Sequence, residues 1–152
     1  MNLEEYPESL VIIGSGFIGL EFAATYAQFG TKVTVVDVID TFLPREDEDV
    51  AQAVKEQLEA LGVTFNLGVQ LKAVHQEGGK AVVEATTGEG APVAFTTDAV
   101  LVATGRRANV QGLDLDKAGV ELTERGAIKV NEFLQTNVPH IFAMGDVNGG
   151  PQ

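Results

Sequence analysis

The stretch formed by residues 10–21 constrains the fold of this chain more than any other, because an apolar run passes through a glycine pattern directly into a helical pattern. It predicts a strand, a tight turn and a helix. Gly14 is expected to make the turn, Gly16 to let the backbone approach a pyrophosphate, and Gly19 to let the helix pack closely on the strand. Unpaired N–H groups and the helix dipole favour an anion there without a charged side chain.

The residues that follow the glycines strengthen this interpretation. A helix is predicted up to Phe29, with Gly30 as its C-terminal cap, because large apolar residues recur at helical spacing at Ile18, Phe22, Tyr26 and Phe29. Residues 32–37 then form a second short strand that ends on Asp37. This acid lies about twenty residues beyond the glycines, where such a side chain accepts hydrogen bonds from the adenosine ribose. The order of these features predicts dinucleotide binding; a structural turn without a phosphate is the alternative.

A second helix and a third strand complete the first half of the predicted sheet. Residues 46–49 are four acids, which we interpret as a dipole-stabilised helix start rather than a metal site. One helical face is marked by Val50, Val54, Leu58 and Leu61, and Gly62 ends the helix. Residues 63–67 supply the third strand. The result is a βαβαβ unit with right-handed crossovers.

The pattern changes after residue 68. Residues 69–76, 80–87 and 92–97 are short strand-like segments separated by glycine-rich turns, which predicts an antiparallel meander. Residues 98–105 are a continuous apolar run typical of a strand buried on both faces, and this strand should rejoin the parallel sheet beside the glycine loop. The predicted fold class is therefore α/β, a Rossmann-like NAD(P)-binding domain with a parallel sheet plus an antiparallel three-stranded meander.

Charge and composition restrict the partners. The net charge of −12 over 152 residues argues against nucleic acid or an anionic membrane as the main partner. No apolar run approaches the length of a membrane span, and residues 1–7 lack a signal-peptide pattern. The chain has no cysteine, so it contains no thiol chemistry, and we expect a cytoplasmic location. His75 and His140 are isolated, and we predict no metal site.

Four runs of sequence resemble the pyridine nucleotide-disulfide oxidoreductases, the FAD-containing group of lipoamide dehydrogenase, glutathione reductase and mercuric reductase. They are GSGFIGLEFA, FLPREDEDVA, DAVLVATGRRAN and GAIKVNEFLQTNVPHIFAMGDVNGG. The resemblance implies that residues 1–109 are an NAD(H)-binding domain and that residues 110–152 are the returning segment of an incomplete FAD-binding domain. It also implies a homodimeric parent whose FAD half, cysteine pair and dimerisation domain lie elsewhere. We therefore expect the chain alone to be inactive, and to expose Val130, Phe133, Leu134, Ile141 and Phe142.

The same resemblance assigns cofactor-binding residues. It places the nicotinamide-dinucleotide loop at Gly14, Ser15, Gly16, Phe17, Ile18, Gly19 and Glu21. It assigns Asp37 to the adenosine ribose and Asp146 to the FAD ribityl chain. The residues that it assigns to the adenine or nicotinamide pocket are Leu71, Ala103 and Gly105. Phe17 falls where relatives place a side chain that covers the nicotinamide site, and Glu21 where a carboxylate pairs with a lysine of the FAD domain. Without the resemblance, Phe17 is helix-start packing, Glu21 a first-turn dipole partner and Asp146 a turn former.

The implied reaction passes hydride from NADH to flavin and then electrons to a disulfide or another acceptor. No residue of this chain need act as acid or base, so no catalytic residue is predicted. A flavoenzyme without a substrate disulfide, such as an NADH oxidase or a ferredoxin-type reductase, and a non-catalytic NAD-sensing module are the alternatives. NADH is expected over NADPH because residues 38–41 contain no base to neutralise a 2′-phosphate; Arg45 is the one basic side chain that could loop back.

Overall fold

The computed structural model describes residues 6–150, and the chain divides into two compact units, Met1–Gly105 and Arg106–Gln152. The first unit contains every long helix and strand in the described part of the chain. In chain order these are β1 (Ser9–Ile13), α1 (Phe17–Gln28), β2 (Lys32–Val36), α2 (Glu48–Ala60), β3 (Thr64–Asn66), β4 (Gln70–Glu77), β5 (Lys80–Thr86), β6 (Pro92–Thr97) and β7 (Ala99–Val102).

The first unit has a four-stranded parallel sheet of order β3-β2-β1-β7 and a three-stranded antiparallel sheet of order β4-β5-β6. This arrangement confirms the α/β class, the parallel sheet and the antiparallel meander. Strand β1 lies at the point where the strand order reverses, with β2 on one side and β7 on the other. The carboxyl ends of these strands therefore border a crevice of the kind in which open α/β sheets bind ligands.

The parallel sheet is buried between two layers, which explains its nearly continuous apolar strands. Toward the helices, Ile12 and Val35 are fully buried in one core with Leu20 and Ala23 of α1. Side chains on the other face of the parallel sheet form a second core, in which Val11, Ile13 and Val36 pack with Val83 and Ala85 of the meander. The alternation of adjacent residues between these two cores follows from the twofold repeat of a strand.

Each helix buries only part of the stripe of large apolar residues expected from the spacing. The stripe of small residues at Gly19, Ala23 and Ala27, whose spacing also predicts close packing on the sheet, is buried or half-buried in α1 as expected. In α1 the buried residues are Gly19, Leu20, Ala23 and Tyr26, whereas Ile18 and Phe29 are largely exposed. In α2 they are Ala51 and Leu58, while Val50 and Leu61 are exposed. Small side chains occupy positions that face the sheet because they let the helix approach it closely. The larger apolar residues on either side of these positions therefore face outward.

Strand β7 was expected to be buried on both faces, and this is wrong: Ala99, Val100 and Leu101 are only half-buried, and Val102 is exposed. Leu101 packs partly on the helix-side core and Val100 on the meander side, but Val102 is 69% exposed. The reason is that β7 pairs with β1 alone and lies at the edge of the described sheet.

Asp98 joins the two sheets just before β7. Its carboxylate accepts hydrogen bonds from the Ser9 N–H (2.9 Å) and the Ser9 hydroxyl (2.6 Å), and it forms an ion pair with Lys80. The hydrogen bond from Lys80 and then those from Ser9 lower the pKa of Asp98 to about 2. The start of β1, in the parallel sheet, is thereby linked to the start of β5, in the meander.

The second unit is built mainly from turns around a small core of Val120, Ile128 and Ala143. It contains two isolated bridges, Leu122↔Ile128 and Gln135↔Phe142, and a short 3₁₀ helix at Asp146–Asn148. The expected exposure is found for Phe133, Leu134 and Phe142 but not for Val130 and Ile141, which pack partly against this core. Across residues 6–150, no helix is long and apolar enough to span a bilayer.

Candidate functional site

A cavity of about 590 Å³ lies in the first unit, at the carboxyl ends of the central parallel strands. This volume is within the range of roughly 300 to 1,000 Å³ that is usual for small-molecule and cofactor sites. Its walls come from the loop after β1, the residues after β2, the start of the meander and the residues after β7. The lining residues are Ile13, Gly14, Ser15, Gly16, Phe17, Val36, Asp37, Val38, Ile39, Leu43, Pro44, Arg45, Glu46, Val69, Leu71, Ala103, Thr104 and Gly105.

Two glycines bring the strand and helix together at the cavity. Gly14 has a φ of +110°, and a Cβ there would lie 2.5 Å from the Ala103 carbonyl oxygen at the end of β7. A Cβ on Gly19 would lie only 2.1 Å from the Gly14 carbonyl oxygen. Any larger residue at either position would push backbone segments apart. The turn expected at Gly14 and the close packing expected at Gly19 are both confirmed.

The N-terminus of α1 opens onto this cavity at Gly16. The first bond of the helix runs from the Leu20 N–H to the Gly16 carbonyl oxygen (3.0 Å), so the preceding N–H groups of the first turn lie ahead of the hydrogen-bond ladder. No side chain caps this end, and its first turn contains no acid. A Cβ added to Gly16 would meet no heavy atom of the chain within 4 Å. The helix end is thus both uncapped and open to an anion.

Asp37 follows β2 and is held by the glycine loop. Its Oδ2 accepts hydrogen bonds from the Ser15 N–H (2.6 Å) and the Ser15 hydroxyl (2.8 Å), and its Oδ1 accepts one from the Ile39 N–H (3.1 Å). Burial raises the pKa of Asp37, but the hydrogen bonds from Ser15, Ile39 and Val38 outweigh it and leave the pKa below its ordinary value. The cavity therefore contains an ionised acceptor at neutral pH.

An apolar wall extends from Asp37 and was not identified from the sequence. It is formed by Val38, Ile39, Leu43 and Pro44, with Arg45 beside them. Val38 and Ile39 are unusually exposed for aliphatic residues, at 64% and 46%. Such side chains directly after the acid were the available signal, because an aliphatic pair in a polar loop suits the flat face of a base. Arg45 lines the same cavity as Asp37, as its position in the sequence allowed.

The remaining predicted residues divide between the cavity wall and the outer surface. Leu71, Ala103 and Gly105 all line the cavity, and so does Phe17, which is 62% exposed. Ile18 and Glu21 are exposed on α1 and do not line it. Glu21 also lies beyond the first turn, so its interpretation as a first-turn dipole partner is wrong.

Asp146 belongs to the second unit. Its Oδ2 accepts a hydrogen bond from Arg106 Nη1 at 2.8 Å, and both side chains are well exposed. Its carbonyl oxygen accepts a hydrogen bond from the Gly149 N–H (3.3 Å), which makes it a turn-forming residue in this structure. A role toward FAD remains a prediction. No cluster of metal-ligating side chains occurs in the described chain.

These residues fit an extended ligand with a central anion and a ribose at one end. The uncapped helix end supplies N–H donors, the open side of Gly16 leaves room for a phosphate, and Asp37 supplies a charged acceptor. The aliphatic wall adds a surface for a base. The arrangement is suited to binding and orienting a ligand, and the Ser15 hydroxyl that lines it donates to Asp37 (2.8 Å).

Comparisons with known proteins are consistent across the whole chain. A family model described as pyridine nucleotide-disulphide oxidoreductase matches residues 1–152. Dihydrolipoyl dehydrogenase of Mycobacterium tuberculosis (strain ATCC 25618 / H37Rv) is 41% identical over 145 residues, which cover 95% of this chain and 31% of that protein. Dihydrolipoyl dehydrogenase of Bacillus subtilis (strain 168) is 43% identical over 154 residues, covering 100% of this chain and 32% of that protein.

A solved structure gives the same result in three dimensions. The HOCl-induced flavoprotein disulfide reductase RclA from Escherichia coli matches with a TM-score of 0.90 and 38% sequence identity, over 99% of this chain and 34% of that chain. This chain thus spans about a third of the length of the proteins it matches.

Proposed function

Because this chain belongs to the pyridine nucleotide-disulphide oxidoreductase family, as its motifs indicated, we propose that it binds NAD(H) for an FAD-dependent oxidoreductase. In this proposal residues 1–109 hold the nicotinamide dinucleotide, and residues 110–152 are the returning segment of an FAD-binding domain. The chemistry that the nicotinamide would supply when bound is donation of a hydride to the flavin, for reduction of a disulfide or another acceptor. The contribution of this chain is to bind and orient.

The observation that carries the proposal is that the glycine turn, the N-terminus of α1 and Asp37 line one cavity. The N–H group of Phe17, at the open end of α1, would hold the pyrophosphate, and Asp37 would accept hydrogen bonds from the adenosine ribose. Leu71, Ala103 and Gly105 would line the base pockets. The chain is strongly acidic, so its overall charge does not attract the phosphates. Their binding rests instead on the local dipoles of the backbone N–H groups at the helix end, and it requires no basic side chain.

We propose NADH rather than NADPH as the physiological cofactor. A 2′-phosphate beside Asp37 would meet an ionised carboxylate and would replace the ribose hydroxyl that donates a hydrogen bond to Asp37. Like charges at about 4 Å repel by roughly 1 kcal/mol in water, and by more where solvent is excluded. Arg45, on the same cavity wall, offsets part of this repulsion. We expect NADH to bind at least about tenfold more tightly.

The acceptor and the assembly are proposed from the relatives. Dihydrolipoyl dehydrogenase is the name of several of them, so a dithiol–disulfide substrate pair of the lipoamide type is favoured over an NADH oxidase or a ferredoxin-type reductase. The Asp146 motif favours a flavoenzyme over an NAD sensor, which needs no flavin contact. A homodimeric parent and a cytoplasmic location remain predictions of the sequence analysis.

Gly16→Ala tests the proposal, because the added methyl group enters open space in the cavity and not the protein core. Calorimetric titration of the chain with NADH should give one binding site, and Gly16→Ala should weaken the affinity at least about tenfold. Gly88→Ala is the matched control, because this glycine lies in the β5–β6 turn and the added Cβ would lie 3.8 Å from the Gly68 carbonyl oxygen, an ordinary van der Waals contact. Equal NADH affinities for the wild type and Gly16→Ala would reject the proposed pyrophosphate position.

A further inference from the structure

Ser15 is the residue between the two glycines of the turn, and it is only 6% exposed. Its N–H and its hydroxyl both donate to the same carboxylate oxygen, Oδ2 of Asp37, at 2.6 and 2.8 Å. The hydroxyl therefore engages a side chain 22 positions away and not a neighbouring backbone group. A buried serine hydroxyl that donates to one distant carboxylate helps to fix the position of that carboxylate, here the one of Asp37.

Two donors on one oxygen restrict the rotation of the Asp37 side chain. Donation from the Ile39 N–H to Oδ1 at 3.1 Å fixes the other end of the carboxylate. Asp37 nevertheless still lines the cavity, so the group is presented there in one orientation. Hydrogen bonds from Ser15 also favour the charged form of the carboxylate, because the donors stabilise the anion and not the neutral acid.

We infer that Ser15 is a positioning residue that sets the preference for NAD(H) over NADP(H) by holding the Asp37 carboxylate in place. The inference rests on the proposed function of this site. With the hydroxyl present, Asp37 cannot turn away from the ribose, so a 2′-phosphate meets a fixed negative charge. Without it, one donor to Oδ2 is lost, the carboxylate rotates more freely, and Arg45 on the same wall compensates the phosphate more effectively.

The charged side chains near Asp37 determine how strongly the site prefers NAD(H) over NADP(H). Arg45 and Glu46 line the cavity with it, and Asp40 lies in the following loop. Arg45 forms no ion pair with any acid of residues 6–150. It is thus available as the cation for a 2′-phosphate once Asp37 is released. The Ser15 hydroxyl opposes this release together with the N–H groups of Ser15 and Ile39.

The test compares Ser15→Ala, which keeps the backbone donor, with Ser15→Thr, which keeps the hydroxyl. NADH and NADPH are titrated into each by calorimetry, and the ratio of the two affinities is the readout. Ser15→Ala should lower the NADH preference about three- to tenfold, and Ser15→Thr should retain most of it. Thr25→Ala is the control for loss of a hydroxyl, since Thr25 donates only to the Glu21 carbonyl oxygen on α1.

A second readout needs no dinucleotide. Carboxyl-carbon NMR titration should give Asp37 a higher pKa in Ser15→Ala than in the wild type, with Ser15→Thr close to the wild type. If the wild type prefers NADH and Ser15→Ala has the same ratio of NADH to NADPH affinity, this inference is overturned and the proposed function is left intact. A wild type that binds neither dinucleotide would instead overturn the proposed function.

Discussion

Replacing Gly19 by alanine should destabilise the first unit, because the new methyl group has no space. Its Cβ would lie 2.1 Å from the Gly14 carbonyl oxygen, whereas ordinary contact begins at 3.4 Å, so α1 must move away from the loop by about 1.3 Å. Overpacking of this kind costs about 1 to 3 kcal/mol, and a backbone neighbour that cannot rotate away places the cost near the upper end. Replacing a helical glycine returns about 1 kcal/mol. The net loss is about 2 kcal/mol.

Urea unfolding and thermal melting measure this loss. A change of about 2 kcal/mol lowers the Tm by roughly 4 to 8 °C in a chain of this size. Gly16→Ala is the matched control on the same helix, since its Cβ meets open space and its φ of −75° suits any residue; its stability should change by less than about 1 kcal/mol. The same comparison should separate fold from binding, since Gly16→Ala loses NADH affinity while it keeps its stability. A Gly19→Ala variant as stable as the wild type would refute the packing argument.

Three further predictions concern charge and surface. Asp37→Ala should weaken NADH binding about tenfold or more, change NADPH binding less and so abolish the discrimination in calorimetry; unchanged discrimination would show that Asp37 does not face the ribose. Asp98 has a lowered pKa, so its ionised form stabilises the fold above its ordinary pKa of 3.8, and this contribution is lost as the pH falls toward 2. Denaturation of Asp98→Asn should therefore depend less on pH in that interval, and parallel curves would contradict this. The apolar side chains that the second unit exposes should make the chain self-associate. Phe133→Ser and Phe142→Ser, which each remove an exposed aromatic ring, should reduce this association in light scattering, and wild-type association in both variants would exclude that surface.

The features that could be predicted from the sequence are those set by local constraints. Gly14 and Gly19 have roles fixed by a positive φ and a near contact, and the glycine pattern alone indicates both. Asp37 was placed correctly at the end of β2, because a parallel strand always delivers its last residue to the same edge of the sheet. The strands and the meander followed from runs of apolar residues and glycine-rich turns.

The features that could not be predicted depend on packing between distant segments. Helical spacing identifies the large-residue and small-residue stripes of α1 but does not determine how far each is buried, so Ile18 was counted with a stripe of which Tyr26 is buried and Ile18 is exposed. The wall beyond Asp37 has no periodic pattern, and buried Leu43 adopts a φ of +43° that no sequence rule indicates. The hydrogen bonds from Ser15 to Asp37 join residues that only the fold brings together.

The central claim is that the glycine turn and Asp37 form the dinucleotide site, and a crystal structure of the chain with NADH tests it most directly. In that crystal structure we expect the pyrophosphate within hydrogen-bond distance of the Phe17 N–H group, and the adenosine ribose hydroxyls hydrogen-bonded to the Asp37 carboxylate. A dinucleotide bound elsewhere on the chain, or one whose ribose makes no contact with Asp37, would contradict it.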